Sequence, residues 1–488
     1  MAPLTSSMVC AGCGYQVPLD EPYPFRCPRA RPDDDIDHVL TKNVDSVSLA
    51  STSGSMSTFD DGEDNPFVRF RGSFLSYHLG LAHGLSDRDY VNLVTELDSS
   101  LAKVDGRGFR VTPLVQVEGL QRLLGLARGG SLWIKDETEN VSGTHKGRHL
   151  MGILLWLEVV ERSGLGGGDR RSTPRLAIAS CGNAALAAAV LAQAGGRELE
   201  VFVPPHAESS ILERFRQLGA EVSVCPRQSE GSGDPCVLRF RDEVAAGALP
   251  FACQGNENGL AIEGGETLGY EIVDSLVARD RRLDRIFVQV GGGALASACI
   301  QALYRERRRG RIERLPRVHA VQTEGAYPLR LAYGRVVERL LEHYRREVRG
   351  SLTPPERVDE LARFIAEHVP SRLVEEELRY AATHRSSFMQ PWPTTPQSVA
   401  EAILDDETYD WLEVVRGMLV TGGFPVVVAE DRLREAHRAS HRHAEIRVDP
   451  TGSAGFAGAL ELAEWGMLSD DETVVVLFTG VERSSKSS

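Results

Sequence analysis

The chain is 488 residues long and 42% hydrophobic, ordinary for a globular protein and enough for more than one folded unit. Its 55 basic and 69 acidic residues leave a net charge of -14 with no polybasic stripe, which excludes nonspecific association with nucleic acid or an anionic membrane surface. No apolar run reaches membrane-spanning length and residues 1–14 lack the regions of a secretory signal, so the expected location is the cytoplasm; eight scattered cysteines point to thiols, not a disulfide framework.

Residues 1–38 carry Cys10-x2-Cys13-x13-Cys27, three ligands of a zinc-ribbon spacing. Ala30 breaks the second cysteine pair, so His38 becomes the candidate fourth ligand for zinc; the competing reading is a remnant ribbon that keeps its shape by packing. Residues 39–65 turn to Ser, Thr, Gly and Asp, the composition of a linker without fixed structure. A helix is predicted over 87–101. From Thr112-Pro113-Leu114 onward, β-branched runs at 132–134, 176–179, 199–203, 222–224, 286–290 and 318–321 alternate with helical patterns, which is the signature of a parallel sheet with helices on its faces. Gly164 to Gly168 follow a helix and read as a surface loop. Residues 326–395 form a helical insertion whose apolar stripe, Leu329, Val336, Val337, Leu340, Leu341 and Tyr344, suits packing or a subunit surface. The alternation returns with strands at 424–428 and 474–478, separated by the loop Asp449–Ser453 and a small-residue helix to Trp465. The expected core is therefore 66–325 with 396–482, containing a smaller domain at about 150–260, followed by a tail at 483–488.

Sheets of this kind place ligands beyond the carboxyl ends of their strands, and three stretches sit at strand-to-helix junctions. Lys146 lies where the loop after Leu132-Trp133-Ile134 hands over to a helix. A cation there opposes the helix dipole, and the same field with partial desolvation favours the neutral amine, the form that makes a Schiff base with an aldehyde. Gly291-Gly292-Gly293 precede a helix from Ala294, and their N–H groups with the dipole would cradle a phosphate without a cationic side chain. Neither a Gly-Lys-Ser/Thr nor a G-x-G-x-x-G sequence is present there, which argues against ATP and dinucleotides; a tight turn for strand–helix packing uses the same glycines. Ser180-Cys181-Gly182-Asn183 opens another helix and suits a carboxylate, with Asn183 able to meet a phenolic oxygen; an ordinary N-cap is the alternative.

Taken in order, N-V-S-G-T-H-K-G-R around Lys146, S-C-G-N-A-A around Asn183, G-G-G-A-L from Gly291 and a last strand ending in Thr479-Gly480 resemble the fold type II pyridoxal phosphate enzymes, the tryptophan synthase β superfamily. The resemblance spans about 110–330 and 395–482 and is strongest to threonine synthase-like members, which also share T-P-L at Thr112, K-D-E at Lys135, A-I-E-G-G-E-T-L-G-Y-E-I from Ala261 and an aromatic–arginine stretch, here Phe67-Val68-Arg69-Phe70. It implies an α/β fold of two open, mostly parallel sheets with helices on both faces and the cofactor between the domains. The chain departs from the family's N-P-T-G-S-F-K-D-R at Val141, Ser142, Thr144, His145 and Gly147.

Carried over position by position, the resemblance implies that Lys146 is the Schiff-base lysine. Gly291, Gly292, Gly293 and Ala294 would hold the cofactor phosphate, Asn183 the ring hydroxyl, and Thr479 would face the pyridine nitrogen. Substrate contacts are expected from Ser142, Thr144, Ser180, Cys181, Gly182 and Asn183, with Cys181 a filler and His145 packed to fix the lysine. Arg148 either meets an acidic substrate group or pairs with Glu137 or Glu139. The implied activity is that of a lyase or synthase, eliminating or replacing a β or γ group on a hydroxy, phospho or otherwise activated amino acid. A homodimer is expected, with a small-molecule amino acid as its ligand. The alternative is a noncatalytic member that binds a partner.

Overall fold

The computed structural model describes residues 7–31, 34–43, 63–127, 129–166, 174–226, 234–348 and 353–483. Three short strands, β1 (Ser7–Cys10), β2 (Gln16–Val17) and β3 (Leu40–Asn43), form an antiparallel sheet in the order β2-β1-β3. The third strand corrects the linker boundary at residue 39. Leu40 is buried, and the Lys42 ammonium lies 3.3 Å from Glu263 and 2.9 Å from Glu266, so distant partners order a segment whose own composition is polar. The stretch 44–62 of that expected linker lies outside the described residues, and Asn65 at its end caps a short helix, Pro66–Arg69, by accepting from the Phe67 N–H.

The remaining strands are β4 (Leu114–Gln116), β5 (Ser131–Asp136), β6 (Leu176–Ala179), β7 (Leu199–Val203), β8 (Glu221–Val224), β9 (Leu249–Pro250), β10 (Arg285–Gln289), β11 (Arg317–Thr323), β12 (Val426–Val428) and β13 (Thr473–Phe478). They build a six-stranded sheet, β12-β11-β10-β13-β5-β4, and a four-stranded sheet, β8-β7-β6-β9. Every pairing in both is parallel except β4 with β5. The run TVVVLF of β13 is buried at all six positions, as a strand must be when helices cover both faces of its sheet. This is the α/β architecture that the alternation of elements predicts, divided into the two mostly parallel sheets that the resemblance implies.

Ten longer helices position the site or its supports: α1 (Asp87–Asp105), α2 (Lys146–Arg162), α3 (Asn183–Ala194), α4 (Ala261–Val277), α5 (Ala294–Arg308), α6 (Pro328–Glu347), α7 (Ser371–Ala382), α8 (Trp411–Thr421), α9 (Glu430–Ala444) and α10 (Ala454–Glu464). Helix α2 is buried continuously from Gly147 to Val160, with Arg148, His149 and Glu158 included, so all its faces are covered. It crosses α4 at Gly152 and Gly264, where a side chain on Gly264 would run into the Arg148 carbonyl. The stripe on α6 is buried from Leu329 to Tyr344 against α7 and α8, so it is a packing face within the chain.

Candidate functional site

The carboxyl ends of β5, β10 and β13 meet at one edge of the large sheet. From β5 the chain passes through Val141–Gly143, where Ser142 and Gly143 both take positive φ (57° and 66°), and this kink delivers Lys146 to the first position of α2. Ser142 is fixed by its backbone, its N–H donating to Asp105 (2.8 Å) and its carbonyl accepting from Arg483 (2.7 Å), while its buried hydroxyl has no partner within the chain. Thr144 donates to the Thr479 carbonyl (3.0 Å) and forms an isolated bridge with Gly480, which ties the lysine loop to the end of β13.

His145 points its Nδ1 at the same Thr479 carbonyl (3.1 Å); since a carbonyl only accepts, Nδ1 carries the proton. Burial, and then the neighbouring Lys146, hold this imidazole well below its ordinary range, so it is neutral. His149 one turn on is pushed down to about 3 by burial and by Lys146, and its Nδ1 donates to the Ala261 carbonyl (2.7 Å). Two neutral imidazoles thus flank Lys146.

Thr479 itself is gripped from β10. Gln289 Nε2 donates to its hydroxyl oxygen (2.6 Å) and to the Gly452 carbonyl (2.9 Å). An oxygen that accepts in this way is left with its own hydrogen to donate. The chain then turns through Gly291, Gly292 and Gly293, the last at φ 96°, into α5, whose start at Ala294 has no side-chain cap. The segment Ile403–Asp410 lies over this turn. Thr408 Oγ1 donates to the Gly291 carbonyl and the Asp410 N–H to the Gly292 carbonyl, each at 2.9 Å, while a side chain on Gly291 would run into the Asp405 carboxylate. The oxygen it would meet, Asp405 Oδ2, also stands 3.8 Å from where a side chain on Gly292 would begin. Burial pushes Asp405 up to about 6 and Asp410 up to about 7, with Lys146 opposing both shifts. Lys146, the glycine turn and these two acids are therefore close neighbours.

On the smaller sheet, β6 ends in Ser180, Cys181 and Gly182 before α3 begins at Asn183. The Gly182 N–H donates to Ser180 Oγ (3.3 Å), Cys181 is exposed, and open space surrounds the position a Gly182 side chain would take. Asn183 Oδ1 accepts from Arg483 Nη2 (3.1 Å) and its amide faces Asp449 and Gly480. The amide thus spans the gap between the two sheets, beside the residue that follows Thr479.

Below α2, Arg148 is fully buried. It donates to Glu137 (2.7 and 3.0 Å), Glu271 (2.5 and 3.2 Å), Thr112 (3.1 Å) and Thr267 (2.9 Å), while Lys135 also pairs with Glu271. Thr112, the Lys135–Glu137 run and Glu271, three of the shared sequence signs, therefore converge on one charge-balanced cluster. Its partners take up the guanidinium, leaving it no part in binding an acidic substrate; Glu137 and Glu271 are its partners rather than Glu139.

Away from this edge, Cys10 Sγ lies 3.3 Å from His38 Nδ1 and Cys13 Sγ 3.6 Å from Cys27 Sγ, with all four candidate ligand atoms within 4.8 Å of one another. Asp34 accepts from His38 Nε2 (3.1 Å), the second contact expected of a metal-ligating imidazole.

Sequence reasoning missed Gln289, Asp405, Asp410 and Arg483. Gln289 alone left a trace, a polar residue closing an otherwise apolar strand; the others act through contacts with segments remote in the chain.

Residues 107–383 match the model of a family described as pyridoxal-phosphate dependent enzyme. Threonine synthase of Methanocaldococcus jannaschii is 23% identical over 378 residues, 76% of this chain and 74% of its own length. The biosynthetic L-threonine dehydratase of Haemophilus influenzae is 24% identical over 212 residues, 43% of this chain and 36% of its own. The solved structure of maize serine racemase covers 80% of this chain and 94% of its own with a TM-score of 0.53 at 16% identity, a likeness of fold.

Proposed function

This chain belongs to the pyridoxal-phosphate dependent enzymes, and from that premise we propose that it is an amino-acid lyase or synthase carrying its cofactor on Lys146. The reaction is elimination or replacement of a β or γ group on a hydroxy, phospho or otherwise activated amino acid, as in the threonine synthase and threonine dehydratase it is similar to. The observation that carries this reading is the neighbourhood of Lys146, with the glycine turn on one side and a hydroxyl poised to donate on the other. The cradle is suited to an anion, because a carboxylate already lies against it.

The bound cofactor supplies an aldehyde carbon and a ring that accepts electrons. Gly291, Gly292, Gly293 and Ala294 would hold its phosphate and Asn183 its ring hydroxyl. Thr479, with its oxygen already accepting from Gln289, would donate its hydrogen to an unprotonated ring nitrogen. A hydroxyl in this role does not enforce a charged ring, which favours loss of a side-chain group over transamination. The Ser180 hydroxyl and the N–H groups of Cys181 and Gly182 at the start of α3 would take the substrate carboxylate, with Ser142 and Thr144 lining the opposite wall. The Lys146 amine, once displaced by substrate, would remove the α-proton. The neutral His145 and His149 offer it no competing charge.

Reconstitution tests this directly. The parent should show a band at about 410 nm that borohydride removes, and Lys146→Ala should not. Release of α-keto acid from serine, threonine, phosphoserine or phosphohomoserine then identifies the substrate; a parent without the band, or a variant that keeps it, overturns the assignment. A second cofactor reading is supported by Cys10, Cys13, Cys27 and His38, whose ligand atoms stand close enough to share one zinc ion. Metal analysis showing about one zinc per chain in the parent and none after Cys10→Ser and Cys27→Ser would establish it.

A further inference from the structure

The Asp405 carboxylate lies on the glycine turn, where its Oδ2 fills the space beside Gly291 and faces Gly292. The turn has no cationic side chain to offset a second anion, for its sequence is Val290-Gly291-Gly292-Gly293-Ala294. The segment that carries Asp405 is pinned along its length. Thr408 and Asp410 bond the glycine carbonyls, Asp410 Oδ2 accepts from the Gly255 N–H (3.1 Å), the Trp392 N–H donates to the Asp406 carbonyl (2.8 Å), and Arg385 pairs with Glu407 (2.6 Å). The backbone is thus held in place, and the Asp405 side chain is what a second anion must displace. The Tyr409 ring closes the same turn, 2.9 Å from where a side chain on Gly292 would begin.

We propose that Asp405 is an internal anion that competes with the phosphate of the cofactor for the glycine cradle, so that the segment Ile403–Asp410 sets how tightly the protein holds a phosphorylated aldehyde. The inference rests on the reading of Lys146 and the glycine turn as the cofactor site. It makes a distinction between two aldehydes that differ in the phosphate alone. A carboxylate in the cradle weakens binding of pyridoxal phosphate, and has no such hold over pyridoxal, which reaches Lys146 without an anionic tail.

The experiment uses full-length protein stripped of cofactor and titrated at one pH with pyridoxal phosphate and, separately, with pyridoxal, followed by the imine absorbance. Asp405→Asn and Asp405→Ser should each tighten pyridoxal phosphate by about tenfold or more, the scale of relieving one close like charge, and leave the pyridoxal constant unchanged. Asp406→Asn, which removes the same charge from an exposed neighbour, should move neither constant. The proposal is overturned if pyridoxal phosphate binds the two Asp405 variants no more tightly than the parent, or if both aldehydes shift by the same factor. Should neither aldehyde give a borohydride-sensitive band with any of the proteins, the Lys146 reading itself fails and the proposal falls with it; intact imines with an unmoved phosphate preference remove the competition alone.

Discussion

Replacing Arg148 with methionine gives the sharpest test of how the core supports the site. The side chain makes six hydrogen bonds, four of them to the carboxylates of Glu137 and Glu271, in a place without solvent. Methionine fills much of the volume but leaves Lys135 as the one cation facing two buried carboxylates. Breaking a buried pair from one side costs about 3–5 kcal/mol, because the abandoned charge stays desolvated. We expect a loss of that size at pH 7, read by urea titration of the far-ultraviolet circular dichroism as a lower midpoint at unchanged slope. The defect should depend on pH. Burial alone would raise Glu271, but in the parent Arg148 and then Lys135 outweigh it and hold the carboxyl below its ordinary range. Its contribution is therefore present above the unfolded value of about 4.3 and is lost as pH falls through the depressed one. Without Arg148 the burial effect is opposed by Lys135 alone, the carboxyl rises, and part of the defect disappears as pH falls and it takes up a proton. Adding Glu137→Gln to the variant should recover stability at pH 7 by removing the carboxylate that Arg148 abandons and keeping the Lys135–Glu271 pair in one-to-one balance. A methionine variant within about 1 kcal/mol of the parent, or a defect indifferent to both pH and the second change, would refute the reasoning.

Gln289→Leu should leave the fold intact but weaken uptake of pyridoxal phosphate by about tenfold, since Thr479 loses the donor that aims its hydroxyl; an unchanged titration would contradict that role. Asp410 is raised to about 7 chiefly by burial, so its contribution is fullest below its unfolded value and is lost as pH climbs through 7. Asp410→Asn should therefore gain on the parent as unfolding is measured from pH 5 to pH 8, and parallel profiles would show that the carboxyl does not titrate there. In the amino-terminal cluster, Asp34→Asn should lower zinc affinity by about 10–100-fold, measured by competition with a chelating dye, because His38 loses the carboxylate that orients it.

The parts of the architecture that could be read in advance were those written locally. The runs at 176–179 and 199–203 are strands with the predicted bounds, because each is a short apolar run, interrupted in the second by Glu200 alone. The edge strand β4 and the two-residue β9 gave no such signal, being too short for any periodicity to register. The same division runs through the site. Lys146 and the glycine turn stand at junctions between elements, where sequence and backbone geometry are coupled over a few residues. Arg483 reaches Asn183 across 300 positions, and Asp405 reaches Gly292 from beyond the helical insertion, so neither relation has a local trace. Arg148 lies between these cases. Glu137 was among its candidate partners, whereas Glu271 joins the cluster through tertiary packing of α4.

One consequence follows from the position of β13. This strand, which follows all the others described in the chain, is inserted between β10 and β5, in the middle of the larger sheet and not at its rim. Without it, the parts that bear the lysine and the glycine turn are joined through the packing of α2 and α5 on α4, while the facing edges of β5 and β10 stay unpaired. A growing polypeptide therefore cannot complete its chemical centre piecemeal. Maturation of the centre waits for β13, and the same step that brings Thr479 into place also seals the edges most prone to mispairing.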